Sequence, residues 1–179
     1  MNIFYLSHNT NICAKEHVDK HVRKMIVEYA QLLSTAHRVL DGIHYTTRIN
    51  NRAKNFWVLT DSCKESMLYK ATHFNHPSAK WVRESKRHYD WLYDLWSKLL
   101  QEYEFRFSKI HKSKTLLIAL NDSPINLNDN GWSPPALAIP DIYKKSTAIE
   151  SYRYYYKEGK KHLHTYTNRS YPKWLKEVS

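Results

Sequence analysis

The stretch from Cys13 to Leu40 contains no glycine or proline and ends at Asp41-Gly42. Within it, apolar side chains recur at steps of three and four residues, which is the spacing of one buried helix face. These side chains are Val18, Val22, Met25, Tyr29, Leu32, Ala36 and Leu40. The pattern predicts one long amphipathic helix that packs against a core, and it argues against an all-β fold.

Two further helices are predicted. The second begins after Pro77, because proline suits the first turn of a helix, and it carries a broad apolar face to about Tyr103. The third begins at Thr147 and Glu150, which have the spacing of a capping box, and it runs to about Lys161.

Outside these helices the sequence is less regular. Apolar alternation over residues 2–6 predicts a short N-terminal strand. Residues 43–72 predict a loop or a small irregular segment with extended pieces. Four prolines in residues 121–141 predict a structured loop. The expected fold is therefore mainly α: a single compact helical domain over residues 1–179, with three long helices, a short N-terminal strand and long irregular loops.

The charge of the chain predicts a polyanionic partner. It has 28 Lys and Arg against 17 Asp and Glu, a net charge of +11, together with 14 Tyr and 6 Trp. Nucleic acid is the common partner of such basic, aromatic chains, although a basic surface also serves solubility alone. There is no apolar run of about 20 residues, no signal-peptide pattern and no disulfide framework. We therefore expect a cytoplasmic protein that does not enter membranes.

A polar stripe on the first predicted helix contains the candidate catalytic residues. His17, His21, Lys24 and Glu28 fall within about 40° of one line, directly beside the apolar face. Partial burial at the edge of a cleft shifts the pKa of such groups and suits general acid–base or Schiff-base chemistry. The alternative is that Lys24 and Glu28, four residues apart, only stabilise the helix surface.

A metal site is a competing interpretation of the same residues. Cys13, His17 and His21 follow one another at four-residue steps, and His73 or His76 could complete a zinc site. The sequence has neither His-Glu-x-x-His nor Cys-x-x-Cys, and Cys13 suits a small core position. We therefore predict no metal and no cofactor.

Basic residues on the second and third helices are candidate DNA contacts. Histidines beside Pro77 could bind phosphate at a helix N-terminus, or could simply cap that helix. Lysines and arginines alternating with tyrosines could follow a phosphate backbone while the rings stack on an unpaired base. The candidates are His73, His76, Lys80, Arg83, Arg87, Arg153, Lys157 and Lys160.

Several stretches spread over most of the chain share features with one enzyme family. They are Ile3-Phe4-Tyr5-Leu6, Met25 to Leu33, Tyr69-Lys70, Asn75-His76-Pro77, Glu102 to Phe107, and the tyrosine-rich Tyr152 to Tyr156. Together they resemble the pyrimidine-dimer DNA glycosylases of phages and bacteria, the endonuclease V family. In that family a helix glutamate is the catalytic acid, with a histidine one to two turns before it. The resemblance implies these roles for Glu28 and His21.

The start of the chain departs from that family. The phage enzyme that defines the family attacks with the α-amine of a small second residue, exposed by removal of methionine. Here the second residue is Asn2, which is too large for efficient removal of Met1, and a longer segment precedes the helix. If an imine forms, Lys24 is the better-placed amine; otherwise water attacks the glycosidic bond.

The expected function is that of a DNA glycosylase-type repair enzyme, with or without lyase activity at abasic sites. It would act as a monomer on duplex DNA and reach its target by extruding a base. Glu28 would be the acid or base, His21 and His17 would orient sugar or phosphate, and Lys24 would stabilise charge or form an imine. The alternatives are a non-catalytic nucleic-acid-binding regulator, such as a phage factor acting on host machinery, a DNA-base modifying transferase, and a metal-dependent nuclease.

Overall fold

The computed structural model describes residues 1–176 and is mainly helical. Its α-helices differ widely in length, and short 3₁₀ turns connect some of them. The helices are α1 (Thr10–Glu16), α2 (Asp19–Asp41), α3 (Ser62–Met67), α4 (Pro77–Glu84), α5 (Lys86–Phe107), α6 (Leu117–Asn121), α7 (Ala148–Tyr154) and α8 (Lys173–Lys176). An antiparallel hairpin of β1 (Ile43–Ile49) and β2 (Arg52–Val58) follows α2.

The first predicted helix is divided in two. Its end at Asp41 is confirmed, but His17 and Val18 adopt extended backbone between α1 and α2. The buried guanidinium of Arg106 donates hydrogen bonds to the carbonyl oxygens of Lys15 and His17, each at 2.8 Å. These contacts satisfy carbonyls that a continuous helix would bond internally, so they stabilise the break.

The second predicted helix is also interrupted. Its start at Pro77 is confirmed, because proline occupies the first turn of α4. Ser85 then adopts extended backbone with φ −153° and ψ 143°, and α5 starts at the next residue. The Ser85 hydroxyl donates to Asp129 at 2.9 Å, so the proline-rich loop holds this second break.

The third predicted helix is much shorter than expected. The capping box of Thr147 and Glu150 is confirmed, but α7 ends at Tyr154 and a π-helical turn continues to Gly159. A Cβ atom at Gly159 would lie 2.6 Å from the ring of Tyr155, so the turn requires glycine. Among residues 1–176, two helices rather than three exceed twenty residues, which corrects the expected architecture.

The β structure lies within residues 43–72, where the sequence allowed for extended pieces, and not at the N-terminus. The predicted N-terminal strand is wrong, because residues 1–5 are assigned to no strand, although Ile3 to Leu6 are buried in the core. The extended pieces expected in residues 43–72 pair with each other as a regular hairpin. Asn50 and Asn51, with φ of 50° and 60°, supply the left-handed two-residue turn that such hairpins prefer.

The core forms where α2 packs against α4 and α5. Trp96 of α5 is fully buried, and its indole nitrogen donates to the carbonyl oxygen of Ile26 at 2.9 Å. Tyr29 of α2 is also fully buried, and its hydroxyl accepts a hydrogen bond from the amide of Phe4. No helix in the described part of the chain is long and apolar enough to cross a membrane.

Candidate functional site

His17 lies inside the core. It is 0% exposed, its Nδ1 lies 2.7 Å from the carbonyl oxygen of Cys13, and its Nε2 lies 3.3 Å from the hydroxyl of Tyr29. Burial lowers the pKa of His17 to about 4, so the ring is neutral at pH 7. With both ring nitrogens bonded inside the protein, His17 cannot contact a sugar or phosphate in this structure, in contrast to the orienting role expected of it.

His21 is buried one turn further along α2. Its ring stacks on Phe4 with centroids 4.3 Å apart, and its Nδ1 lies 2.5 Å from the hydroxyl of Tyr156. Burial lowers the pKa of His21 to about 3, and the ammonium groups of Lys160 and Lys24 contribute to a smaller extent. His21 is therefore a neutral group that positions Tyr156 against α2, and it supplies no positive charge.

Lys24 and Glu28 form the accessible part of the stripe. The Lys24 ammonium lies 3.2 Å from the Glu28 carboxylate, and their side chains are 62% and 16% exposed. The amine is therefore in solvent, whereas most of the carboxylate side chain is covered. A partly covered carboxylate next to a mobile cation is a suitable acid or base, because the pair can exchange for contacts with a bound substrate.

A basic cleft of about 710 Å³ adjoins this pair. Its lining comes from the first turns of α2 and from a segment near the end of the chain: Asp19, Lys20, Arg23, Lys24, His162, Leu163, Thr165 and Thr167. Three cations on one side of α2 make this surface attractive to phosphate. Lys24 belongs both to the cleft and to the ion pair with Glu28.

The cleft was not found from the sequence. The sequence nevertheless contains a signal for it, because Lys20, Arg23 and Lys24 have the three- and four-residue spacing of one helix face. The opposite wall could not have been predicted, because the amide and hydroxyl of Thr167 bind Asp19 over a separation of 148 residues.

His76 caps the start of α4. Its Nδ1 accepts a hydrogen bond from the amide of Ser78 at 3.2 Å, so His76 caps the helix, which was one of its two expected roles. Burial lowers the pKa of His76, the positive charges of the Met1 amine and His73 lower it further, and the Glu28 carboxylate raises it. Glu28 and His76 are therefore close enough for their charges to interact.

Three of the candidate DNA-binding arginines are held by protein groups. Arg83 donates to the carbonyl oxygen of Phe74 at 2.6 Å, and burial lowers its pKa. Arg87 pairs with Asp129 at 3.1 Å. Arg153 donates to the carbonyl oxygen of Leu6 at 2.8 Å. Because these guanidinium groups already donate to protein atoms, fewer of their N–H groups can bind a phosphate.

The remaining candidates lie on several surfaces. His73 and Lys80 are exposed around the start of α4. Lys157 lines a separate cleft of about 460 Å³ together with Arg153 and Trp174. The Lys160 ammonium lies 4.9 Å from the centre of the Tyr155 ring. Of the four stripe residues, Lys24 lines the basic cleft and the other three do not.

Three of the donors considered for zinc, Cys13, His17 and His21, are buried in the core. Within residues 1–176, no group of three or more His, Cys, Asp or Glu side chains is placed to hold a metal ion. The Cys13 thiol donates to the carbonyl oxygen of Phe4 at 3.3 Å, and burial raises its pKa to about 12. Since a zinc ligand must be a thiolate, Cys13 is unsuited to the role.

The chain was compared with models of protein families, with curated proteins and with solved structures. None of the three comparisons found a match. What the site can do follows from its own residues: a partly covered carboxylate, an adjoining amine and a basic cleft.

Proposed function

We propose that the protein is a DNA glycosylase-type repair enzyme that acts on duplex DNA after extrusion of a base. The position of Lys24 supports the proposal most directly, because this residue lines the basic cleft and also lies 3.2 Å from the Glu28 carboxylate. A DNA backbone bound in the cleft would bring a deoxyribose next to that carboxylate. The enzyme would work in the cytoplasm as a monomer, without metal or cofactor.

Binding and chemistry are assigned to different residues. Lys20 and Arg23 would neutralise phosphates on either side of the extruded nucleotide. Glu28 would transfer a proton to the departing base, or would stabilise the positive charge that develops on the sugar as the glycosidic bond breaks. His17 and His21 are neutral and buried, and they would hold this face of α2 in position.

The attacking group is either an amine or water. In the amine route, the Lys24 ammonium first gives a proton to Glu28, and the neutral nitrogen then bonds to C1′ of the sugar while the bond to the base breaks. Glu28 passes that proton to the departing base, takes another from the nitrogen now bound to C1′, and gives it to the ring oxygen as the ring opens. Ring opening then gives an imine, which borohydride reduces to a stable protein–DNA adduct. In the water route no such adduct forms. Trapping in the unaltered protein but not in Lys24→Ala would therefore identify Lys24 as the nucleophile.

Glu28→Gln tests the proposal, because it keeps the shape and hydrogen bonds of the side chain but removes the acid. Base release from a panel of duplexes carrying ultraviolet photoproducts or altered bases should fall by about 10²- to 10⁴-fold, while affinity for the same duplexes stays unchanged. Glu84→Gln, which removes an exposed carboxylate outside the cleft, is the matched control.

Two results would contradict the proposal in different ways. Equal base release by Glu28→Gln and the unaltered protein would remove Glu28 from the chemistry. DNA binding without base release on any duplex of the panel would favour the non-catalytic nucleic-acid-binding regulator instead.

A further inference from the structure

The β1–β2 hairpin projects from the helical body. All seven residues of β1 are exposed, and in β2 only Trp57 is buried. The Trp57 ring packs edge-on against Phe74 at 4.9 Å, and its carbonyl oxygen accepts a hydrogen bond from buried Arg38 at 3.1 Å. A two-stranded ribbon is marginally stable by itself, so these contacts at its base hold it on the protein.

The strand register sorts the hairpin side chains onto two faces. Trp57 and its cross-strand partner His44 belong to the face turned toward the body. The opposite face carries the stacked rings of Tyr45 and Phe56, with centroids 5.4 Å apart. It continues toward the turn with Thr47 opposite Lys54 and Ile49 opposite Arg52. The outer face is thus aromatic at its base and basic at its tip.

The charge of the hairpin has one sign. Residues 43–60 contain Arg48, Arg52 and Lys54 and no Asp or Glu. All three cations are exposed, and Tyr45 and Ile49 beside them are 46% and 39% exposed. Exposed cations alternating with exposed aromatic and apolar groups complement a nucleic acid, which offers phosphates and the apolar edges of sugars and bases.

We propose that the hairpin is an arm that binds the duplex DNA whose target nucleotide occupies the cleft. A two-stranded ribbon fits the width of the major groove. Its exposed cations, Arg52 and Lys54 on the outer face and Arg48 on the face of Trp57, would contact phosphates along the groove. This inference rests on the proposed function, since it assigns a second contact to the same DNA.

The triple variant Arg48→Gln/Arg52→Gln/Lys54→Gln tests the arm. Its affinity for duplex DNA at about 100 mM salt should fall at least tenfold. Its salt slope, the slope of log affinity against log salt concentration, should decrease in magnitude by about 2 to 3, because three phosphate contacts are lost. The matched control is Lys15→Gln/Lys109→Gln/Lys112→Gln, which removes the same charge from exposed positions elsewhere. The control should lose clearly less affinity.

The outcomes separate this inference from the function on which it rests. If the unaltered protein does not bind duplex DNA, the arm and the proposed function both fail. If it binds, and the hairpin and control variants lose equal affinity, only the arm is overturned.

Crosslinking identifies what the arm contacts. In a Cys63→Ser background, which removes the exposed thiol, Ile49→Cys can carry a photoreactive group. We expect crosslinks to DNA in the complex. Crosslinks to a second copy of the chain, with none to DNA, would make the hairpin a self-association surface and overturn the proposal.

Discussion

The Arg106 cluster and the Lys24–Glu28 pair both contact the first turns of α2, but their hydrogen-bonding groups are used differently. Arg106 is 2% exposed, and its guanidinium donates to Asp19, to Glu102 and to the carbonyl oxygens of Lys15 and His17. Each of its nitrogens has a partner inside the protein. This cluster therefore joins α1, α2 and α5, and its guanidinium is too deeply buried to contact a ligand.

The Lys24–Glu28 pair is bonded far more sparsely. Within residues 1–176, Glu28 has one ion-pair partner, Lys24, whose side chain is 62% exposed. The solvent-exposed ammonium of Lys24 can therefore exchange this partner for a group of a substrate. Charged side chains whose hydrogen bonds all go to protein atoms maintain the fold. Charged side chains that have few protein partners and lie beside a cleft are the ones to test for function.

Removal of Arg106 should have the largest effect on stability. Arg106→Met leaves the largely buried carboxylate of Asp19 without its ion-pair partner and Glu102 with Arg169 alone, so the free energy of unfolding should fall by about 3–5 kcal/mol. Denaturant titration measures the change, with Lys109→Met as an exposed control. A loss below about 1 kcal/mol would show that apolar packing replaces the cluster, and that the Arg106 hydrogen bonds do not maintain the fold.

The buried histidines should make stability depend on pH. Because burial lowers the pKa of His17 to about 4, the unfolded chain takes up a proton near pH 6.5 that the folded protein takes up only near pH 4. The stabilisation from neutral His17 is complete above pH 6.5. It decreases by about 1.4 kcal/mol per pH unit as pH falls from about 6.5 to 4.

His17→Gln should remove one proton from those taken up on unfolding, so the slope of the unfolding free energy against pH should fall by about 1.4 kcal/mol per pH unit. Denaturant titrations at several pH values measure this slope. His162→Gln, which removes an exposed imidazole, is the matched control. An unchanged slope in His17→Gln would mean that His17 is protonated in the folded protein, contrary to its burial.

Removal of the cleft cations should weaken DNA binding more than folding. Lys20→Gln/Arg23→Gln should lower duplex affinity about tenfold at 100 mM salt, which corresponds to about 1.4 kcal/mol, and should reduce the salt slope by about 2. Lys15→Gln/Lys112→Gln removes the same charge from exposed positions outside the cleft. Equal losses in the two variants would show that net charge, not the cleft, governs binding.

The smallest expected effect is that of Lys24 on stability. Lys24→Ala should change the free energy of unfolding by less than about 0.5 kcal/mol, because the Lys24 ammonium is solvent-exposed and a pair four residues apart on a helix contributes little. Lys98→Ala, which breaks the similarly spaced pair with Asp94, is the matched control. A loss near that of Arg106→Met would place Lys24 among the residues that maintain the fold.

The buried face of α2 could be predicted because it depends on local spacing. Val18, Val22, Met25 and Tyr29 are all buried, as their periodicity indicates. The breaks beside this helix and before α5 could not be predicted, since neither has a glycine or proline to mark it. They are stabilised by Arg106 and by the loop at Asp129, which are distant in sequence.

The candidate site divides in the same way. The Lys24–Glu28 pair followed from a four-residue step on one helix. The burial of His21 did not, because the phenol of Tyr156 that binds it lies 135 residues away along the chain. A helical stripe therefore identified polar groups near the core without distinguishing which of them reach solvent.

The hairpin has a consequence for the behaviour of the protein at high concentration. Within residues 1–176 its two strands pair only with each other, so each has an outer edge of unpaired amides and carbonyls. Such edges are templates for aggregation, and short length and like charges are the usual protection. Each strand is seven residues long, and Arg48, Arg52 and Lys54 repel a second hairpin. Neutralising these charges should therefore lower the solubility of the folded protein even where its stability is unchanged.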